Sequence, residues 1–123
     1  MLCSWLVAAT LSAAPACAQT ASQPVPPAVA AEFLKKPGVV LLDVRTPAEF
    51  AAGHLQGARN LDFRSAGFRQ QIDQLDKRKT YVLYCASGNR SGQTTVIMEE
   101  TGFKRVVNAG GFEQLKAAGL KTE

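Results

Sequence analysis

Three short apolar blocks punctuate the chain, at 39–44, 81–85 and 105–107, and between them apolar positions recur at helical spacing. The first block is broken only by Asp43 and predicts a strand buried on both faces. The second, Tyr81-Val82-Leu83-Tyr84-Cys85, mixes β-branched, aromatic and aliphatic residues and predicts a buried central strand. Arg105-Val106-Val107 predicts a third, shorter one. Pro27 opens a helix through Lys36, with Val29, Phe33 and Leu34 as its apolar side and Pro37-Gly38 as its stop. Thr46-Pro47-Ala48-Glu49 carries a capping box and a proline in the first turn, so a short helix starts there and Gly53 ends it. Within 61–75, Phe68, Ile72 and Leu75 share a helical face. A further helix is predicted over 88–100, although its apolar period is poor and Gly92 costs about 1 kcal/mol against alanine, which close packing on a sheet would explain. Residues 112–118 form the last helix, closed by Gly119. Strands that alternate with helices predict an α/β fold, a mostly parallel central sheet flanked by helices.

Composition narrows this to one domain: 123 residues, 46% hydrophobic and 20% charged, with no internal repeat. Residues 1–18 stand apart from it. Leu2 to Ala18 carries no charged side chain, and the run through Trp5-Leu6-Val7-Ala8-Ala9 and Leu11 ends in Ala16-Cys17-Ala18. That small-x-small ending predicts a secretory signal cleaved after Ala18, with lipidation at Cys17 as the alternative; no Lys or Arg precedes the run. The segment is short and alanine-rich for a membrane anchor, so no stable insertion is expected after cleavage. Polar, proline-rich 19–27 predicts a flexible leader, and 28–123 the folded domain. A periplasmic or otherwise exported protein is expected. Export would remove Cys3 and Cys17 and leave Cys85 alone in an oxidising compartment, a placement that favours chemistry over packing. The net charge of +4 comes from scattered residues, with only Lys77-Arg78-Lys79 clustered and no aromatics interleaved, which argues against a nucleic-acid partner. A monomer acting on a small anion is expected.

Candidate chemistry concentrates where the central strand ends. Cys85 is followed by Ala86-Ser87-Gly88-Asn89-Arg90-Ser91, a small-residue loop that opens a helix. Gly88 allows tight curvature, so successive backbone N–H groups and the helix N-terminus can face the sulfur. Such a setting lowers a thiol to roughly 3.5–7.5. Arg90 adds a positive charge that can strengthen this field or grip an oxyanion. Asp43-Val44-Arg45 ends the neighbouring strand on the same edge, where ligand sites of parallel sheets lie.

These motifs, taken in order, resemble the single-domain rhodaneses, thiosulfate-type sulfurtransferases. Leu42-Asp43-Val44-Arg45, Glu49-Phe50, Gly53-His54-Leu55, Gly57-Ala58 and Asn60 are similar to the family's first motif. Cys85, Gly88, Arg90 and Ser91 are similar to its active-site loop, and Gly110-Gly111 to its closing glycine pair. The resemblance implies that Cys85 is a nucleophile that carries a persulfide, cradled by the amides of Ala86, Ser87, Gly88, Asn89, Arg90 and Ser91. It implies that Arg90 orients an anionic donor such as thiosulfate, and that a thiophilic acceptor, cyanide or a thiol, removes the sulfur. Asp43 and Arg45 are implied as supporting residues, read here as a structural ion pair, and His54 as scaffolding. Neither a metal nor an organic cofactor is implied. Two features depart from the family: Leu115 stands where Trp is frequent, and Ala86 and Ser87 are small and neutral where some members carry larger or charged groups. Two rival readings remain: a sulfur carrier or redox sensor with little turnover, and a cysteine phosphatase or arsenate reductase. The latter's loop places five residues between Cys and Arg, whereas four stand between Cys85 and Arg90.

Overall fold

The computed structural model describes residues 23–123; the signal expected over 1–18, its cleavage or lipidation, and the first part of the leader lie outside the described residues. Among the described residues nine elements alternate: α1 (Pro27–Leu34), β1 (Val39–Asp43), α2 (Pro47–Ala52), β2 (Arg59–Asn60), α3 (Phe68–Asp73), β3 (Thr80–Cys85), α4 (Asn89–Glu100), β4 (Arg105–Gly111) and α5 (Phe112–Ala117). The strands form one parallel sheet in the order β2-β1-β3-β4, which puts β3, buried from Tyr81 to Cys85, in the interior.

Alternation along β3 divides the core into two layers. Tyr81, Leu83 and Cys85 face one side with Phe68, Ile72 and Met98, whereas Val82 and Tyr84 face the other with Ala30, Leu55, Phe112 and Leu115. Cys85 therefore belongs to the layer covered by α3 and α4. The poor apolar period of α4 has a physical origin: its buried residues are Ser91, Gly92, Thr94, Thr95 and Met98, a face in which hydroxyls and a glycine stand where methyls would be expected. Thr94 and Thr95 donate to the carbonyls of Arg90 and Ser91, at 2.8 and 2.9 Å, so these groups are buried already satisfied.

Four expectations change. On α1 it is Ala30 that faces the core with Phe33 and Leu34, while Val29 is 40% exposed; the helix also ends at Leu34. Edge strand β2 went unpredicted because two residues carry no periodicity. Strand β4 runs to Gly111, four residues past the apolar stretch, through Asn, Ala and two Gly, types depleted in strands. Its register against β3 slips by one residue, from Leu83 opposite Asn108 to Tyr84 opposite Gly110, a bulge that turns the strand end toward the Cys85 loop. Lastly, the described part of the predicted leader is docked: Val25 donates its N–H to the Asn108 carbonyl at 2.9 Å and packs against the second core layer.

Candidate active site

Cys85 ends β3 fully buried, and the chain then doubles back over it. Gly88, with φ +94°, makes the bend and stands as the N-cap of α4, and its N–H reaches the Cys85 sulfur at 3.0 Å. The Ser91 hydroxyl, one turn into α4, lies 3.4 Å from the same sulfur. Burial pushes the thiol up; against it the Ser91 hydroxyl and the N–H groups of Ser91, Ser87 and Gly88 hold it below its ordinary value. Of the six loop amides expected around the sulfur, those of Ser87, Gly88 and Ser91 act on it.

What lets the loop curl this tightly is the glycine pair. A Cβ on Gly111 would stand 2.7 Å from the Ala86 carbonyl oxygen, and one on Gly88 would stand 3.2 Å from the Gly110 Cα. The end of β4 therefore touches the loop backbone directly. From that strand Asn108, 1% exposed, enters the site, a residue the sequence reading overlooked because it lies past the apolar part of the strand. Its Oδ1 accepts from the Ser91 hydroxyl at 2.7 Å and from the Gly110 N–H at 3.0 Å, and its Nδ2 donates to the Gly88 carbonyl at 3.1 Å. The signal available in the sequence was its position, a polar residue just before the glycine pair.

Arg90 is held from across the site. Its Nη1 and Nη2 donate to the two carboxylate oxygens of Glu49 at 2.8 and 3.0 Å, a forked pair between the loop and α2. Glu49 was expected as a helix cap, and it is one: its Oε1 accepts from the Thr46 N–H at 3.2 Å, and the Thr46 hydroxyl accepts from its own N–H. The Arg90 guanidinium, helped by Thr46 and opposed by burial, holds the Glu49 carboxyl down at about 2.

Asp43 and Arg45 form the ion pair read from the sequence. Arg45 Nη2 meets Asp43 Oδ2 at 2.6 Å and the Gly53 carbonyl at 2.7 Å, and its guanidinium lies 4.4 Å from the centre of the Phe112 ring. Asn60 ties the following turn by donating to the carbonyls of both Asp43 and Arg45. The pair braces the edge of the sheet beside the loop. His54 stacks on Phe50 at 3.7 Å, with Nδ1 2.9 Å from the Phe50 carbonyl and Nε2 3.2 Å from Glu123, partners that join α2 to the C-terminus. Leu115 is fully buried at the position where the family frequently has Trp.

The exposed loop residues Ser87 and Asn89, with Gly88, form one wall of a cleft of about 870 Å³. Gln93 and Ile97 of α4 and Arg69 of α3 complete much of its lining, and Arg69 is a cation beside the loop that the sequence reading did not single out. Among the described residues no cluster of His, Cys, Asp or Glu could hold a metal ion, and no helix is long and apolar enough to cross a membrane.

Comparison with known proteins agrees with this geometry. The thiosulfate sulfurtransferase GlpE of Pseudomonas putida is 38% identical over 94 residues, 76% of this chain and 84% of that protein. The thiosulfate sulfurtransferase PspE of Escherichia coli is 35% identical over 80 residues, 65% of this chain and 77% of that protein. Among solved structures, a rhodanese with anions from E. coli superposes with a TM-score of 0.58 at 32% identity, covering 69% of this chain and 96% of that one. A rhodanese-like domain from Anabaena gives a TM-score of 0.69 at 25% identity over 81% of this chain and 77% of that one. The sequence profile of the rhodanese-like domain matches residues 26–118. With its sheet order, its cysteine loop and three-quarters of its length accounted for in this way, the chain belongs to the rhodanese-like domain family.

Proposed function

We propose that this protein is a thiosulfate sulfurtransferase that works through a persulfide on Cys85. The observation that carries the reading is the sulfur itself: a thiol at a strand end that accepts from the Gly88 N–H at 3.0 Å and the Ser91 hydroxyl at 3.4 Å, in a member of this family. Relatives named thiosulfate sulfurtransferases support the donor.

In the first half-reaction the Cys85 thiolate attacks the outer sulfur of thiosulfate. A sulfur–sulfur bond forms to Cys85, the bond to the sulfonate sulfur breaks, and sulfite leaves with that electron pair. In the second, cyanide or a thiolate attacks the outer sulfur of the persulfide, and Cys85 thiolate is regenerated. The loop amides stabilise negative charge in both resting and loaded states without reorganising, which is the source of rate in such sites. Arg90, fixed on Glu49, supplies positive charge at the loop, and Arg69 can meet the sulfonate end of a donor in the adjoining cleft.

The phosphatase reading is disfavoured by the length of the loop: four residues stand between Cys85 and Arg90 where that reading needs five, a bowl better matched to one sulfur atom than to a tetrahedral oxyanion. The sulfur-carrier reading keeps weight because Cys85 is fully buried, which slows access of a large acceptor. Steady-state formation of thiocyanate from thiosulfate and cyanide separates the two: multiple turnovers, abolished in Cys85→Ser, support the enzyme, and a single turnover supports the carrier. Export after cleavage at Ala18 and a monomeric state complete the proposal, on the composition of residues 1–18 and the size of the domain.

A further inference from the structure

The Ser91 hydroxyl stands between two acceptors, the Asn108 amide oxygen at 2.7 Å and the Cys85 sulfur at 3.4 Å, and it has one proton to give. All three residues are buried, Asn108 at 1% exposure and the other two at zero, so bulk water does not supply a substitute donor. The Asn108 oxygen is the better partner by distance while the sulfur is an uncharged thiol. A thiolate reverses the preference, because a charge-assisted bond is roughly twice as strong as a neutral one. Asn108 can release the proton without being orphaned, since the Gly110 N–H still donates to its oxygen at 3.0 Å.

We propose that Asn108 is a positioning residue for the sulfur chemistry: its amide oxygen holds the Ser91 hydroxyl proton while Cys85 is uncharged and yields it when the sulfur carries a negative charge. The proton that leaves Cys85 goes to solvent; the Ser91 proton stays on its oxygen and only turns. When sulfur transfer places the charge on the outer sulfur of the persulfide, the hydroxyl turns back to Asn108. Through its Nδ2 the same side chain holds the Gly88 carbonyl at 3.1 Å, which keeps the Gly88 N–H aimed at the sulfur throughout. This inference rests on Cys85 being the reacting sulfur.

Of the charged groups around the Cys85 loop, Arg69 of α3 lines the outer cleft against Ser87, Gly88 and Asn89, and the others are paired. Arg90 from the loop is paired with Glu49 of α2, Asp43 at the end of β1 is paired with Arg45, and β4 contributes no titratable side chain at its loop end. The movable neutral donor is therefore what distinguishes one protonation state from the other within this shell.

The test is the ultraviolet thiolate absorbance of the full chain against pH, read as the difference from Cys85→Ser so that other chromophores cancel. It reports the Cys85 thiolate whether or not thiosulfate is the donor, so its failure leaves the proposed activity standing, and failure of the activity leaves it readable. Asn108→Asp keeps the shape, makes a stronger competitor for the hydroxyl proton and gives up the bond to the Gly88 carbonyl, a loss common to both backgrounds. It should raise the thiol midpoint, and raise it by about half a pH unit more with Ser91 present than in the Ser91→Ala background. Equal displacement in both backgrounds, or none in either, overturns the proposal, since a charge acting directly or a purely structural asparagine gives those results. If Asn108→Asp does not fold, the wild-type chain gives the same answer by NMR. The Asn108 side-chain amide should titrate with the Cys85 midpoint and stop doing so in Cys85→Ser; a flat trace through that midpoint overturns the proposal.

Discussion

Glu49 serves two masters at once, as the N-terminal cap of α2 and as the counter-ion of Arg90. Its folded value of about 2 lies below the ordinary 4.5, so its contribution to stability is complete above about 4.5 and is lost as pH falls toward 2. A third of its side chain is exposed, and after allowance for solvent screening the contribution is about 1–2 kcal/mol. Urea unfolding of the wild type should weaken by that amount between pH 5 and pH 2.5 relative to Glu49→Gln; parallel curves for the two would remove the pair from the account. The same substitution frees Arg90, and its loss should appear mainly in kcat for sulfur transfer, by about tenfold, because the arginine is then no longer fixed relative to the loop. At this scale the sequence was informative about Cys85, Arg90, Asp43 and Arg45 but silent about Asn108. The first four sit in motifs with a spacing; Asn108 acts through a bulge that no spacing announces.

Among the elements, the contact between β4 and the Cys85 loop sets the shape of the site. Gly111 lacks space for any side chain, with a Cβ only 2.7 Å from a backbone oxygen that cannot swing away. Gly111→Ala should therefore destabilise the fold by about 1–3 kcal/mol, as overpacking does, and depress sulfur transfer beyond what the loss of folded protein explains. Thermal unfolding and activity per folded molecule check both parts; unchanged activity per folded molecule would show that the loop tolerates displacement from β4. The elements were readable where burial imposes a period, as in β1, β3 and the 68–72–75 stripe. Where it does not, the signal was weaker: α4 was expected over 88–100 despite a poor period, since it buries hydroxyls in place of methyls, and the end of β4 was missed because it finishes in glycine. In both cases the residue types that hide the element from its periodicity are the ones that build the site.

At the scale of the whole molecule, the α/β order was legible because strand and helix signals alternate, whereas the boundary of the domain was not. The proline-rich stretch reads as linker by composition, yet Val25 lies on β4 and bonds the main chain of Asn108. A chain beginning at residue 28 should be less stable than one beginning at 23 by about 1–2 kcal/mol, the loss of one buried main-chain bond and one apolar contact. Equal denaturation midpoints would show that the docked segment adds nothing. The molecule thus gathers its site from both ends of the described chain: the loop after β3, the glycine pair after β4, and a strap from before α1 that lies on the residue behind the sulfur.

The central claim, a persulfide on Cys85, is tested most directly by the intact mass of the reduced protein after brief exposure to thiosulfate, with released sulfite measured alongside and Cys85→Ser treated in parallel. The wild type should gain one sulfur atom, matched by sulfite, and the serine variant none. No gain on the wild type, or the same gain on both proteins, would contradict the claim.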